Sequence, residues 1–207
     1  MTPWAGPILL ALVCFLLAGI PSAGADTDAM DEPFAQAVEA VRNKEYSTAH
    51  TIFGALAERG APDAQFNIGL LLKAGLGRPQ NFEEAYFWFV LSSLGNERRA
   101  DPMVTEISDL LPQAVQGEVF ARIITRLDAQ LAEGNQRAIM KYAKLHADFL
   151  FEPDIETAYV WYSIGQALGL RGASAGTVAM SELLEPEALI AAQRRAQQDF
   201  DASLFAS

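Results

Sequence analysis

Apolar residues recur at three- and four-residue spacing from Phe34 onward. Phe34, Ala37, Val38 and Val41 make one stripe, and Tyr46, Ala49, Ile52, Phe53 and Leu56 make the next. That spacing is the period of a helix with one buried face. Pro33 is read as the first residue of the first helix, after a flexible start over 26–32, because a proline there gives up an N–H that has no helical partner anyway. Asn43-Lys44 separates the two stripes and Gly60 ends the second. Pro62 opens a third helix, closed by Gly75 and Gly77, two residues suited to backbone angles that strain others. Asn81 stands as the N-cap of a fourth, with Glu83-Glu84 in its first turn, where the helix dipole favours carboxylates.

Tyr86 to Leu91 is apolar all round, so the fourth helix is expected to be buried on most sides. Further helices are predicted over Glu97–Leu111 (with Pro102 near its true start), from Pro112 to Leu131, Asn135–Leu150, Asp154–Leu168, Ser174–Leu184 and Glu187–Phe200. No window shows the strict alternation of a half-buried strand. The expected class is all-α.

The chain also copies itself. Ala85-Tyr86-Phe87-Trp88-Phe89 aligns with Ala158-Tyr159-Val160-Trp161-Tyr162 at an offset of 73, and Leu110-Leu111 aligns with Leu183-Leu184 at the same offset. Pro112 and Pro186, like Ala64 and Ala138, differ by 74. A near-constant offset across separated features marks an internal repeat. One helical hairpin takes roughly 34 to 40 residues, so each unit is read as two hairpins. The expected layout is a hairpin over 33–59, a first unit over 60–133 and a second over 134–207.

The residues Ala64-Gln65, Gly69, Gly75-Leu76-Gly77, Ala85, Trp88 and Gly95 resemble the Sel-one-like repeat, a relative of the tetratricopeptide repeat. Ile68 stands where that family has leucine, Asn81 where it has a capping aspartate, and Phe89 where it has tyrosine. The second copy keeps Asp154, Ala158 and Trp161-Tyr162, but Phe149-Leu150-Phe151-Glu152 replaces the turn glycines. The resemblance implies a right-handed α-solenoid of stacked antiparallel helix pairs. Such repeats serve as binding scaffolds for unrelated partners.

Met1 to Ala25 carries no charged side chain, and Ile8 to Ile20 is an unbroken apolar run ended by Pro21. Ala23-Gly24-Ala25 offers the small residues a signal peptidase reads. The stretch is read as a signal peptide cleaved near Ala25, which implies a periplasmic or secreted protein. The rival reading is a retained anchor. Thirteen residues from Ile8 to Ile20 would rise roughly 20 Å as a helix, short of a hydrocarbon core of about 30 Å. The one cysteine, Cys14, lies within this leader, so the mature chain is expected to have no disulfide, no cysteine nucleophile and no thiolate metal site.

Net charge is −11. Nucleic acid is excluded as an expected partner, because phosphate contacts need clustered Lys and Arg; an anionic membrane surface is disfavoured for the same reason. Neither histidine has a partner at a site-forming spacing: His50 has Glu45 and Tyr46 nearby, and His146 has Asp148 at two residues, pointing elsewhere on a helix. Both are read as packing or surface residues. The carboxylate pairs Asp31-Glu32, Glu83-Glu84 and Glu152 with Asp154 are explained by helix starts rather than by a catalytic cleft. Gly75-x-Gly77 lacks the preceding strand and the following Gly-Lys of a phosphate loop. Trp88, Trp161 and Tyr162 are read as core.

One cluster stands out. Arg137, Lys141 and Lys144 are spaced i, i+4, i+7 and share one helix face. In an acidic protein that basic stripe could clamp a carboxylate or an acidic peptide; the bland reading is a solvated face. The expectation is a non-catalytic scaffold that binds a partner protein or peptide in the cell envelope, with no cofactor and no metal. The alternatives are an envelope enzyme of unrecognised type, or a self-assembling subunit whose apolar end would lie around Phe200 to Phe205.

Overall fold

The structure is a computed structural model, and it describes residues 25–201 and Phe205. The leader before Ala25, including Cys14, lies outside the described residues. Among those described there are ten α-helices, one π-helical turn and no strand. The helices are α1 (Ala25–Arg42), α2 (Tyr46–Glu58), α3 (Pro62–Ala74), α4 (Phe82–Leu94) and α5 (Ala100–Ser108), then α6 (Gln113–Ala132), α7 (Gln136–Lys144), α8 (Ile155–Ala167), α9 (Ala173–Ser181) and α10 (Pro186–Asp201). The chain is all-α. No helix among the described residues is long and apolar enough to cross a membrane.

Two boundaries differ from the sequence expectation. Pro33 lies inside α1, so the stretch over 26–32 is helical and not a flexible start. The helix expected over 135–150 stops at Lys144 and continues as the π-helical turn Leu145–Phe149.

Elsewhere the punctuation works as the residues suggest. Pro62 is the first residue of α3, and Gly75 closes it in the left-handed conformation at φ 68°. The Leu76 N–H then donates to Leu71 O at 2.9 Å, which satisfies a carbonyl the helix end would leave open. Asn81 caps α4 by accepting the Glu84 N–H at 3.0 Å. Asp154 caps α8 the same way, taking the Thr157 N–H at 2.9 Å.

The core centres on α4. Every residue from Ala85 to Ser92, and Leu94, is buried. A helix that is apolar all round has to be covered on every side, and α4 packs against α3, α5, α6 and α7. The buried Ser92 is satisfied, since its Oγ donates to Pro62 O at 2.8 Å. The buried Gln65 ties α3 to α2 by donating from Nε2 to Ala57 O at 3.1 Å. In the second half α8 has the corresponding place, packed against α7, α9 and α10. The correspondence extends to the boundaries. The ends of α4, 82 and 94, displaced by 73 give 155 and 167, the ends of α8; those of α5 displaced by 73 give the ends of α9. In the Phe200 to Phe205 segment, Phe205 is buried and Phe200 packs partly on the core; residues 202–204 lie outside the described residues.

Close approach of α3 to α4 requires a missing side chain. A Cβ at Gly69 would lie 2.6 Å from the Phe89 ring, and Phe89 is fully buried with no room to swing away. Gly69→Ala gains helix propensity of about 1 kcal/mol but overpacks the core by about 1–3 kcal/mol. A net loss is expected in the urea midpoint. Gly54→Ala is the control: its Cβ meets only Ile68 Cδ1, at 3.4 Å, so the midpoint should hold or rise. Equal midpoints for the two variants would show that the α3–α4 contact yields freely.

Candidate functional site

Two cationic places lie close to one arginine, Arg126. The first is an open pocket of about 710 Å³ formed by α2, α3, the α3–α4 turn and α4. Its apolar lining comes from Ile68, Leu72 and Trp88, its polar lining chiefly from His50, Arg78, Glu58 and Glu84. Gly77 makes the geometry possible. It takes φ 77°, and a Cβ there would stand 2.6 Å from Tyr46 O. The turn therefore lies directly on the start of α2 and carries Arg78 across to His50. The Gln80 side chain fixes it further, donating to Lys73 O at 2.7 Å.

Within the pocket two groups are unspent. His50 is buried, 8 % exposed, and its Nε2 has no hydrogen-bond partner. Burial, then the charge of Arg78, holds its pKa below the ordinary histidine value. Arg78 makes no ion pair or side-chain hydrogen bond among the described residues, and it is exposed. The carboxylates in the same pocket are committed. Glu84 accepts from Arg122 Nη2 at 2.8 Å, and Glu58 Oε2 accepts from Arg126 Nη1 at 2.7 Å.

Arg126, on α6, joins the two places. Its second nitrogen donates to Glu58 O at 2.8 Å, and its guanidinium lies over the Trp88 ring, 5.7 Å from the centroid. Beyond it stands Lys141. Burial pulls the Lys141 amine down to about 8, and the charges of Arg126 and Arg137 add to the effect. Among the described residues no carboxylate pairs with Lys141 or with Arg137. A half-buried ammonium near two guanidiniums, only one of which has a carboxylate (Glu58 on Arg126), leaves an excess of positive charge that a further anion would offset.

The basic stripe therefore divides. Lys141 lies within reach of the charges of both Arg126 and Arg137. Lys144 turns the other way and donates to Asn96 Oδ1, beside the charges of Asp148 and Asp101. Two of the three carboxylate pairs stand at helix starts: Glu83 and Glu84 lie in the first turn of α4 and both pair with Arg122, and Asp154 caps α8; Asp31-Glu32 instead falls inside α1, which begins earlier than its proline suggests. Trp88 and Tyr162 are buried, and Trp161 packs on Tyr142 with ring centroids 5.3 Å apart.

His146 has a partner that its own helix spacing does not reveal. Asp154, eight residues on, brings Oδ2 to 3.6 Å from His146 Nδ1, and Tyr142 stacks on the imidazole at 4.6 Å. The π-helical turn and the backbone bond from the Asp154 N–H to His146 O, 3.0 Å, set this contact. Among the described residues no group of three or more His, Cys, Asp or Glu side chains is placed to hold a metal ion.

Both histidines have depressed folded pKa values, burial being the leading cause in each; for His146, Asp154 and Asp128 oppose it and Arg195 reinforces it. As pH falls below about 6.5 the unfolded chain takes up these protons first. Stability from neutral imidazoles is present above that pH and is lost as pH falls toward the folded values. The urea midpoint of the His50→Gln/His146→Gln double variant should therefore decline less steeply than that of the parent between about pH 7 and about pH 5.5. Parallel declines would remove the histidines as the cause.

No family model matches the chain, and no curated protein is significantly similar to it.

Proposed function

We propose that this chain is an exported, non-catalytic scaffold that binds an acidic segment of a partner protein or peptide through Arg126, Arg137 and Lys141. The observation that carries the reading is Lys141: a half-buried cation close to two others, with no carboxylate partner of its own among the described residues. Burying a charge costs free energy that a counter-ion recovers. An incoming Glu or Asp side chain supplies that counter-ion. Lys144 already spends its head on Asn96, so it stands outside the binding set.

The architecture we propose is a right-handed solenoid of stacked antiparallel helix pairs of the Sel-one-like kind. What supports it is the shared offset of 73 between α4 and α8 and between α5 and α9, together with sequential packing of neighbouring helices. A stack of this kind suits recognition better than chemistry, because an enzyme needs several titratable groups meeting at one reacting centre. In the basic cluster the one carboxylate that meets the cations, Glu58, is held by Arg126.

The test is fluorescence anisotropy of a labelled Glu-rich peptide against a Lys-rich peptide of equal length. The Glu-rich peptide alone should bind. Lys141→Gln should weaken it about tenfold and Arg137→Gln several-fold, while Lys144→Gln stays within about twofold. Affinity should fall as pH rises through about 8, where Lys141 loses its proton. Equal binding of the two peptides, or an unchanged affinity in Lys141→Gln, overturns the reading. Export is checked separately by intact mass of the natively expressed protein: a mature chain starting at Asp26 is expected, and a retained Met1 would replace export by anchoring.

A further inference from the structure

We propose that the pocket between α2, the α3–α4 turn and α4 is a second binding site, specific for a monocarboxylate that carries an apolar group. Arg78 and His50 hold the carboxylate, and Ile68, Leu72 and Trp88 receive the apolar group. This site is distinct from the Arg126–Lys141 cluster and stands whether or not that cluster takes a peptide.

Three observations converge. His50 is more than nine-tenths buried, lines the pocket and has an Nε2 without a partner. A buried polar nitrogen left unpaired is costly, and such a group in a pocket calls for a ligand atom. Arg78 lines the same pocket, carries an uncommitted guanidinium and acts electrostatically on His50. It is held there by a turn whose Gly77 admits no side chain against Tyr46 O, so the cation is positioned by backbone packing. Finally, the pocket volume of about 710 Å³ exceeds what a bare anion needs, and Ile68, Leu72 and Trp88 supply apolar wall beside the polar groups.

Charge selects the ligand class. The titratable and charged groups facing His50 are Glu58 from α2, Arg78 from the turn and Glu84 from α4; α3 contributes only Ile68 and Leu72. Glu58 and Glu84 are neutralised by Arg126 and Arg122. Their oxygens still repel a dianion such as phosphate, while a single negative charge matches the single free guanidinium. A carboxylate accepts two N–H groups from Arg78 and one from His50 Nε2. A bound anion also supplies the opposite charge that His50 lacks. Binding is therefore linked to proton uptake, and affinity rises as pH falls toward the histidine range.

The probes are N-acetyl-phenylalanine, its amide, and 3-phenylpropionate. The first mimics the free end of a protein chain, the last a free carboxylic acid. Titrations follow the His50 ring proton by NMR in the full protein, with His146 as internal reference. The acid is expected to bind with a Kd near or below about 1 mM and at least about tenfold more tightly than the amide. Arg78→Gln, on an exposed side chain without structural bonds, should abolish that preference while leaving helicity unchanged. His50→Gln should weaken the acid and remove the gain in affinity between about pH 7.5 and about pH 6. A much tighter N-acetyl-phenylalanine than 3-phenylpropionate assigns the site to a chain terminus; equal affinities assign it to a free acid. Equal binding of acid and amide, an unaltered preference in Arg78→Gln, or no shift of the His50 resonance at the highest ligand concentration overturns the proposal.

Discussion

The structure depends on the burial of α4. Its residues are apolar on every side, so it cannot lie on a surface, and four other helices are needed to cover it. That demand reaches into details. Gly69 is side-chain-free so that α3 can come close to Phe89. Ser92, in the middle of the apolar run, reaches back to Pro62 O and spares the core an unpaired hydroxyl. Arg122 and Arg126 come from α6 and lie over Phe87 and Trp88 of α4. Each covers an aromatic face with its guanidinium plane while its N–H groups meet carboxylates.

That last arrangement links the core to the sites. Arg126 cannot move from Trp88 without giving up Glu58, so its charge is a fixed element at the boundary of both cationic places. On one side Glu58 and Glu84 are neutralised, which leaves Arg78 and His50 as the unspent groups of the pocket. On the other side the fixed guanidinium adds to the burial of Lys141 and depresses its pKa. The protein as a whole carries −11, yet both places concentrate positive potential. A local cation cluster within an acidic chain restricts recognition to ligands small or extended enough to enter it, because larger acidic partners meet repulsion from the surrounding surface.

The two halves solve the same packing problem with different turns. The first half uses Gly75 and Gly77 between its hairpin helices, and this brings the chain back tightly enough to build a pocket. The second half has no glycine there. Its helix loosens into a π-helical turn, and the freed residues place His146 against Asp154 and Tyr142. Losing the glycines exchanges a pocket for a buried histidine contact.

The order and type of the helices were legible from residue spacing, because a helix with one or more buried faces must repeat apolar positions at its own period. The cap at Asn81 and the stops at Gly60 and Gly75 were legible for the same local reason. Pro33 misled, since the acidic residues before it allow an earlier start. The sites were not legible to the same degree. Arg137, Lys141 and Lys144 could be placed on one face by arithmetic, but the lysines meet different surroundings because Asn96 comes from the α4–α5 turn and Arg126 from α6. His50 read as an isolated residue, because Arg78 is 28 positions away along the chain and only the turn through Gly77 brings it near. Local conformation follows from neighbouring residues, whereas the electrostatic environment of a side chain is set by whatever the packed fold brings to its tip.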